Sequence, residues 1–445
     1  MASPLSVVLY GVRIATLRQP RPSAFRLDFT PEAEDAFRPN SAVLSTALPI
    51  DTVRRPNGVA VRAFFAGLLP EGEARGRLAD VFGVPRGDDY ALLAAIGRDC
   101  AGAVTLLPEG EKLSEHAGHV EAYPPGGLER AVAELHQRPL GAAQDMRVSL
   151  PGVQDKLLLA RTPDGRWGRP VDGAPSTHIL KPQDMRLEAY AAAEQLCLRL
   201  AAVLDLTTVD SEVVVLDGRP AIIVARYDRK TSPDDSTERI HQEDAMQALG
   251  VDTLSGGSKY EAMGGPSLVR FAQLLRRHAP AEDLRRLLAL TTLNIAAGNA
   301  DAHAKNLSLL HGEDGSVRLA PAYDITPTTY YRYVPTPEGP RDMSDDLAMR
   351  INATRSIHQV TIADLLAEAS SWGLAPRLAR STVATTLETL AEVLDREVER
   401  STVPDEMAHF IAERIERLLA GDGASGTSPA HRVRLGNLCS ARLEN

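Results

Sequence analysis

The sequence predicts an α+β protein with two lobes, preceded by a small N-terminal α/β accessory domain. Strand patterns separated by turns dominate residues 146–235, helical patterns dominate residues 236–422, and a cluster of polar side chains follows a buried helix in that second part. Composition shifts give the boundaries. They are 1–110 for the accessory domain, 111–145 for a linker region, 146–235 for the first lobe, 236–422 for the mostly helical second lobe, and 423–445 for a flexible tail.

Composition is that of a soluble globular protein. The chain has 445 residues, of which 44% are hydrophobic and 24% charged, and a formal net charge of −10. This charge argues against a large nucleic-acid footprint, although it leaves a local basic patch open. No apolar run approaches a membrane span, and the N-terminus lacks a signal-peptide pattern. Cys100, Cys197 and Cys439 have no metal-ligand spacing, so we expect a reduced, cytoplasmic protein.

The accessory domain mixes short strands with helices. Its strand patterns lie at 6–9, 13–17, 25–29 and 103–107, and its helical patterns at 59–69, 72–82 and 90–96. None of these segments has catalytic spacing, so they predict packing and capping. Residues 108–147 form a looser passage with one helix at 128–136.

The first lobe contains a turn and a lysine suited to phosphate binding. Residues 147–160 read RVSLPGVQDKLLLA, which predicts a strand, a tight turn at Pro151–Gly152 and an apolar strand. A glycine turn can bring backbone N–H groups close to phosphates, but it also fits an ordinary hairpin. The strand at 177–181 ends in Lys181, which could meet the α- and β-phosphates. Glu194, on a helix predicted at 188–204, could hold Lys181 in place; solvent exposure of both is the alternative.

The next hairpin leads from the first lobe to the second. Its strands are predicted at 212–216 and 220–227, and a nucleotide base could lie beside their end, between the lobes. Helical patterns follow at 241–250, 267–277, 282–297, 362–370, 380–400 and 405–419.

The polar cluster lies in residues 294–308, NIAAGNADAHAKNLS, where Gly298 ends a helix. Asp301 is followed five residues later by Asn306, then by strands predicted at 307–310 and 317–323, and then by Asp324. Phosphoryl transfer requires this layout, because one carboxylate must meet the incoming hydroxyl while an amide oxygen and a second carboxylate hold Mg²⁺. A polar loop that only caps the helix is the alternative.

A strand-rich part with a turn and a lysine, followed by a helical part with this cluster, is the order of a bilobed protein- or lipid-kinase-like fold. The chain resembles the HipA family of serine/threonine kinase toxins over nearly its whole length, up to about residue 420. The segments that carry the resemblance are FFAGLLPEGEARGRLA, YALLAAIGRDCAGAV, RVSLPGVQDKLLLA, THILKP, HQEDAMQALG, GNADAHAKNLS and LAPAYDITP.

The resemblance implies roles for individual positions. Asp301 takes the position of the catalytic aspartate, Asn306 and Asp324 take the positions that bind Mg²⁺, and Ser149 takes the position at which family members autophosphorylate. The implied ATP-binding residues are Pro151, Gly152, Val153, Gln154, Asp155, Lys156, Lys181, Ala225, Arg226, Tyr227, His303, Ala304, Lys305, Asn306, Tyr323 and Asp324.

The resemblance also implies partners. Family members phosphorylate an aminoacyl-tRNA synthetase and are restrained by a helix-turn-helix antitoxin, and within that complex Arg377 and Arg380 could contact operator DNA. Two alternatives stay open at this point. One is a small-molecule or lipid kinase on the same core, and the other is a non-catalytic co-repressor that acts with an antitoxin on DNA.

Overall fold

The computed structural model describes residues 2–111, 118–142, 147–152, 154–232, 236–253, 257–336 and 339–426. Within these ranges no helix is long and apolar enough to cross a membrane. The flexible tail predicted at 423–445 lies outside the described residues from position 427 onward. Its first residues are docked, because the Ala424 amide donates to the Val360 carbonyl at 2.9 Å.

The accessory domain is a four-stranded antiparallel sheet covered by helices. The strand order is β3-β2-β1-β4. Leu5, Val7 and Leu9 of the central strand are buried in one apolar cluster with helix residues such as Phe64 and Leu93. The strands are β1 (Leu5–Leu9), β2 (Val12–Arg21), β3 (Ala24–Phe29) and β4 (Val104–Pro108), and the helices are α1 (Pro31–Phe37), α2 (Gly58–Gly67), α3 (Gly72–Phe82) and α4 (Asp89–Ile96).

The first lobe is a six-stranded sheet with one long helix against it. The strand order is β5-β7-β6-β8-β10-β9, and the pairs are antiparallel. Apart from an isolated bridge at Val148, the strand predicted before the Pro151–Gly152 turn does not form. The elements are β5 (His119–Ala122), α5 (Gly127–Ala133), β6 (Leu157–Arg161), β7 (Trp167–Val171), β8 (His178–Pro182), α6 (Tyr190–Val203), β9 (Ser211–Leu216) and β10 (Arg219–Ala225).

The second lobe is mostly helical, as predicted, with several small antiparallel sheets. Its helices are α7 (Ala245–Ala248), α8 (Leu268–His278), α9 (Ala281–Ala297), α10 (Ile362–Ser371), α11 (Pro376–Glu399) and α12 (Asp405–Leu419). The strands from the end of the first lobe onward are β11 (Arg229–Thr231), β12 (Thr237–Arg239), β13 (His241–Asp244), β14 (Ser308–His311), β15 (Val317–Leu319), β16 (Tyr333–Thr336), β17 (Gly339–Asp342), β18 (Asp346–Ile351) and β19 (Thr354–Ser356).

Two predictions for this lobe are wrong in part. Residues 241–244 are a strand and not the start of a helix, because β13 pairs along its length with β14. The helix begins only at α7, where Asp244 and Gln247 form a reciprocal capping box. The strand predicted at 317–323 ends at Leu319, and the chain then runs irregularly toward Asp324.

A buried ionic cluster joins the accessory domain to the first lobe. The Asp99 carboxylate is fully buried and lies 2.9 Å from Arg229 and 3.2 Å from Arg239. Asp228 in turn binds Arg226 at 2.7 Å. Because a buried charge is costly unless it is paired, these mutually satisfied groups fix the register between the two units.

Candidate active site

Helix α9 leads into the loop that carries Asp301. It ends at Gly298, whose φ of 80° is the left-handed cap that the sequence predicts. Asn299 then fixes the next turn, because its side-chain oxygen accepts from the Asp301 amide at 3.1 Å and its amide nitrogen donates to Asn294 at 2.8 Å. This Asx turn holds Asp301 at the exposed edge of the loop. Protein atoms still crowd the Asp301 carboxylate, and this desolvation raises its pKa.

Asn306 lies at the end of a short 3₁₀ turn, Ala304–Asn306. Its side-chain amide nitrogen donates to the Asp301 backbone carbonyl at 3.3 Å. Because the nitrogen is engaged there, the oxygen is the end of the amide that can serve as a ligand. Asp301 and Asn306 are therefore adjacent, as predicted.

Asp324 has a left-handed backbone, with φ 57°. Few residues other than glycine adopt this conformation, and it occurs preferentially where a side chain must be aimed. The Asp324 carboxylate lies 2.6 Å from the Lys181 ammonium and is 42% exposed. Burial raises the pKa of Asp324, but the Lys181 ammonium opposes this more strongly and brings it to about 2. Asp324 is thus ionised and partly open.

Lys181 links the two lobes. It lies at the end of β8, and its ammonium is 2.7 Å from the Glu194 carboxylate on α6 as well as 2.6 Å from Asp324. Burial lowers the pKa of Lys181, but the Asp324 and Glu194 carboxylates have the larger effect and raise it. Burial raises the pKa of Glu194. The predicted contact between Lys181 and Glu194 is present.

The segment 151–156 lies beside this ion pair; Val153 is outside the described residues. Gly152 has φ 123°, and a Cβ there would overlap the Lys156 ammonium. That ammonium donates to the Pro151 carbonyl at 3.0 Å and is buried. Burial, with the nearby Lys181 charge, lowers the pKa of Lys156 to about 8. The loop therefore encloses a buried ammonium group close to the Lys181–Asp324 pair.

The accessory domain holds this loop from outside. The Glu71 amide donates to the Gly152 carbonyl at 3.1 Å. Arg77 lies 3.7 Å from Asp155 in an ion pair, and the neighbouring Gln154 is half-buried. Ser149 is fully buried, and its hydroxyl donates to the Leu68 carbonyl at 2.7 Å. Ser149 is therefore enclosed by protein in this conformation.

The residues predicted beside the base divide into two groups. Tyr227 packs on Tyr323 with ring centroids 5.4 Å apart, and the Tyr323 hydroxyl donates to the Lys305 carbonyl at 2.7 Å. The backbone N–H groups of Ala225 and Arg226 already donate within the protein. The Arg226 side chain lies in the buried ionic cluster, so in this conformation it faces Asp228 and not the cleft.

Three of the residues between Asp301 and Asn306 are buried or half-buried in the loop that carries Asp301, namely His303, Ala304 and Lys305. Burial lowers the pKa of His303 to about 4, so the ring is neutral at physiological pH. Lys305 binds Asp244 at 2.9 Å. The burial of His303 and the ion pair of Lys305 with Asp244 hold this part of the loop in place.

Three site neighbours did not emerge from the sequence patterns. The Tyr260 ring packs edge-on against His303, two residues after Asp301, with centroids 5.6 Å apart, and burial together with the nearby Asp301 carboxylate raises the pKa of its hydroxyl. Lys259 lies 3.4 Å from Glu71, and Glu71 also lies 3.7 Å from Lys305. The one local signal is the segment SGGSKYEAMGG, in which glycines flank Lys259 and Tyr260.

The donor set fits a hard divalent cation. Among the described residues there is no group of three or more His, Cys, Asp or Glu side chains that could enclose a metal. A carboxylate at Asp324 and an amide oxygen at Asn306 are nevertheless the ligand types that Mg²⁺ prefers, and two protein ligands suffice because the ion keeps waters and binds phosphates. The two residues could hold Mg²⁺ only together with a nucleotide.

Comparisons with known proteins agree with this architecture. A family model described as the HipA-like C-terminal domain matches residues 148–394, and one described as the HipA N-terminal domain matches residues 5–107. Y4mE of Sinorhizobium fredii, whose name describes a kinase, is 38% identical over 353 residues, which are 76% of this chain and 79% of that protein. The serine/threonine-protein kinase toxin HipA of Shewanella oneidensis is 28% identical over 396 residues, 85% of this chain and 86% of that protein.

A solved structure shares the fold. It is the complex of Shewanella oneidensis HipA with HipB and operator DNA, and one of its chains matches with a TM-score of 0.75 at 24% identity, covering 94% of this chain and 96% of that one. The predicted α+β fold class and family are both confirmed. The chain belongs to the HipA family and is a serine/threonine-protein kinase.

Proposed function

We propose that this kinase is the toxin of a toxin–antitoxin pair and that it uses ATP and Mg²⁺ to phosphorylate a serine or threonine of a protein. The observation that carries the proposal is Lys181, which contacts both Glu194 and Asp324. In phosphoryl-transfer enzymes such a lysine meets the phosphates while the carboxylate beside it holds the metal.

The residues of this chain divide the chemistry among them. Asp301 orients the acceptor hydroxyl and accepts its proton, a role favoured by the desolvation that raises its pKa. Lys181 and Lys156 supply positive charge to the phosphates under the 151–156 loop. Asn306 and Asp324 hold Mg²⁺, which neutralises phosphate charge when it is bound. Tyr227 and Tyr323 border the base.

The proposals about partners rest on the family. We propose an aminoacyl-tRNA synthetase as the protein substrate and a helix-turn-helix antitoxin as the restraining partner. The solved Shewanella complex, which contains HipB and operator DNA, supports an antitoxin and DNA for this chain by analogy. Arg377 and Arg380 are exposed and three residues apart on α11, so they share one helix face and are our candidate DNA contacts.

We also propose autophosphorylation of Ser149 as an off-switch. Ser149 lies two residues before Pro151, and its buried hydroxyl leaves no place for a phosphate. A phosphate adds up to about two negative charges. Residues 148–152 would then have to leave the Leu68 contact, which would uncover the phosphate site.

The test compares the unaltered chain with Asp301→Asn. Each is incubated with γ-labelled ATP, Mg²⁺ and whole-cell extract, and labelled proteins are identified. We expect the unaltered chain to label a small set of proteins, including an aminoacyl-tRNA synthetase, and Asp301→Asn to lose about 10²–10⁴-fold in rate with little change in ATP affinity. Equal growth arrest on expression of both forms would refute the kinase-toxin proposal. Label confined to small molecules would favour the small-molecule alternative.

A further inference from the structure

A cavity of about 420 Å³ lies between the accessory domain and the second lobe. Helices α2 and α3 form one wall, and the segments around α7 and around Lys259 form the other. This volume is in the range of roughly 300–1,000 Å³ that is usual for binding sites. Lys181, Asp324 and the described residues of the 151–156 loop do not line it, so this cavity is distinct from the site that these residues form.

The cavity adjoins the loop that carries Asp301 through Lys259 and Tyr260. The Lys259 carbonyl accepts from the Ala304 amide at 3.2 Å, which ties this wall to that loop. The Tyr260 ring packs edge-on against His303, two residues after Asp301, with centroids 5.6 Å apart. The cavity therefore lies beside the loop whose carboxylate meets the acceptor in the proposed function.

The lining combines charged, polar and apolar side chains. Its charges are already paired, Lys305 with Asp244 at 2.9 Å, Lys259 with Glu71 at 3.4 Å, Arg75 with Asp89 at 3.1 Å and Asp252 with Arg62 at 3.5 Å. Such pairs leave little net charge to attract a phosphate or another strongly charged ligand. The neutral polar side chains of the wall are Gln247, Thr253, Ser258 and Tyr260, and its apolar side chains are Ala63, Ala66, Met246, Val251 and Met263.

Met263 indicates what kind of ligand fits. It lies at the edge of the cavity and is 69% exposed, which is unusual for a large apolar side chain. Methionine is flexible and polarisable, and it packs against side chains of varied shape at binding surfaces. An exposed methionine at the edge of this cavity suits a protein segment, which can insert one side chain among the apolar residues of the wall and cover the edge with its neighbours.

We propose that this cavity is the acceptor site: it receives the protein segment that carries the phosphorylated serine or threonine, with an aliphatic neighbour of that residue inserted against Met246 and Met263. The inference rests on the proposed function. The acceptor oxygen bonds to the γ-phosphorus of ATP, the bond from that phosphorus to the β–γ bridging oxygen breaks, the hydroxyl proton passes to Asp301, and ADP leaves.

Two substitutions obstruct the site without touching the nucleotide residues. Ala63→Phe fills the cavity from α2, and Met263→Asp places a charge at its apolar edge. Met185→Asp is the matched control, because Met185 is a methionine of similar exposure, 62%, that does not line the cavity. Thermal melting reports whether each variant folds. Because Met263 is largely exposed, Met263→Asp keeps the test valid if Ala63→Phe fails to fold.

Each variant is assayed with γ-labelled ATP and increasing concentrations of whole-cell protein extract, and ATP affinity is measured separately. We expect both cavity variants to raise the half-saturating extract concentration at least about tenfold, since apolar pocket contacts typically discriminate by that much. ATP affinity stays unchanged, and Met185→Asp behaves as the unaltered chain.

The outcomes separate this inference from the function on which it rests. Equal transfer by the unaltered chain and both folded cavity variants would overturn the acceptor site and leave the proposed function standing. A parallel loss of ATP affinity would also overturn a separate acceptor site. No transfer to protein by the unaltered chain, or transfer to small molecules alone, would overturn the proposed function and the acceptor site with it.

Discussion

The Lys181 ammonium lies 2.7 Å from the Glu194 carboxylate, in an ion pair whose side chains are 10% and 2% exposed. This pair joins strand β8 to helix α6, and Asp324 binds the same ammonium from the second lobe. The position of Lys181 is therefore set jointly by both lobes. A change at any one of the three residues should therefore alter how the Lys181 ammonium meets the phosphates of ATP.

Glu194→Gln tests the positioning of Lys181. Glutamine keeps the shape and an acceptor oxygen but removes one of the two charges that hold the ammonium. We expect the rate of phosphoryl transfer to fall about 10–100-fold, since small misplacements of a positioned group cost this much. Initial rates with labelled ATP measure it. Glu388→Gln, on an exposed face of α11, is the control, and an unchanged rate in Glu194→Gln would contradict the role.

Asp324→Asn tests the metal site. The unaltered chain should bind ATP weakly without Mg²⁺ and at least about tenfold more tightly with it, because the ion neutralises phosphates that Asp324 otherwise repels. In Asp324→Asn this difference should disappear together with activity. Calorimetric titrations with and without Mg²⁺ give the answer, with Asp314→Asn in the exposed β14–β15 turn as the control. Equal ATP affinity in both conditions for the unaltered chain would exclude the assignment.

Lys156 should make ATP binding dependent on pH. Burial lowers its pKa from 10.5 to about 8, so the ammonium is charged below pH 8 and loses its charge as the pH rises above it. ATP affinity should then fall by up to about tenfold per pH unit. Lys156→Arg keeps the charge and should flatten this profile between pH 7 and 10.

The lowered pKa of Lys156 also affects the free energy of unfolding of the ATP-free chain. This free energy should rise with pH where ATP affinity falls. Between pH 8 and 10.5 the unfolded chain binds more protons at Lys156 than the folded chain does, so stability should rise with pH in this window. Urea denaturation of the unaltered chain and of Lys156→Met across this range measures the difference. Superimposable pH profiles would show that Lys156 is not buried as an ammonium.

Ser149 should be modified between molecules. A serine held against Leu68 cannot easily reach a nucleotide in its own cleft, so a second molecule is expected to phosphorylate it when residues 148–152 detach. Asp301→Asn protein mixed with active enzyme should therefore become labelled, and mass spectrometry should place the label on Ser149. An active preparation with unmodified Ser149 after prolonged incubation with Mg²⁺ and ATP would defeat the proposal.

Asp99→Asn tests the joint between the accessory domain and the first lobe. It leaves three arginines around a neutral side chain, and breaking buried pairs of this kind costs about 3–5 kcal/mol. Burial raises the pKa of Asp99, but its arginine neighbours lower it more. In the unaltered chain the stabilisation by the ionised Asp99 carboxylate is therefore lost only as the pH falls below the usual pKa range of a carboxyl. Urea denaturation measures both effects, with the exposed Asp395→Asn as the control.

The sequence predicts those parts of the site that depend on local patterns. Gly298 ends a helix because the periodicity stops there, and Asp301, Asn306 and Asp324 follow at a spacing that phosphoryl transfer explains. The pairing of Lys181 with Glu194 was also predictable, since a strand-end lysine and a following helix are neighbours in chain order.

What the sequence does not predict depends on contacts between distant segments. Residues 241–244 have a helical pattern but form a strand, because β14, more than sixty residues later, supplies its partner. Arg226 lies where a nucleotide contact was expected, yet its guanidinium is held in the buried cluster by Asp228 at 2.7 Å and by the accessory-domain carbonyl of Cys100 at 3.1 Å. Glu71 meets Gly152 and Lys259 only through the tertiary fold. Intrinsic propensity is a weak guide where tertiary pairing decides.

The left-handed backbone at Asp324 constrains how this gene can diverge. A glycine would relieve roughly 1 kcal/mol of local strain at that φ, but it would also leave the buried Lys181 ammonium with one carboxylate instead of two, and breaking a buried pair costs about 3–5 kcal/mol. Folding and chemistry therefore both retain the carboxylate. In lineages where kinase activity no longer confers fitness, a change at position 324 should appear together with a change at position 181 and not alone.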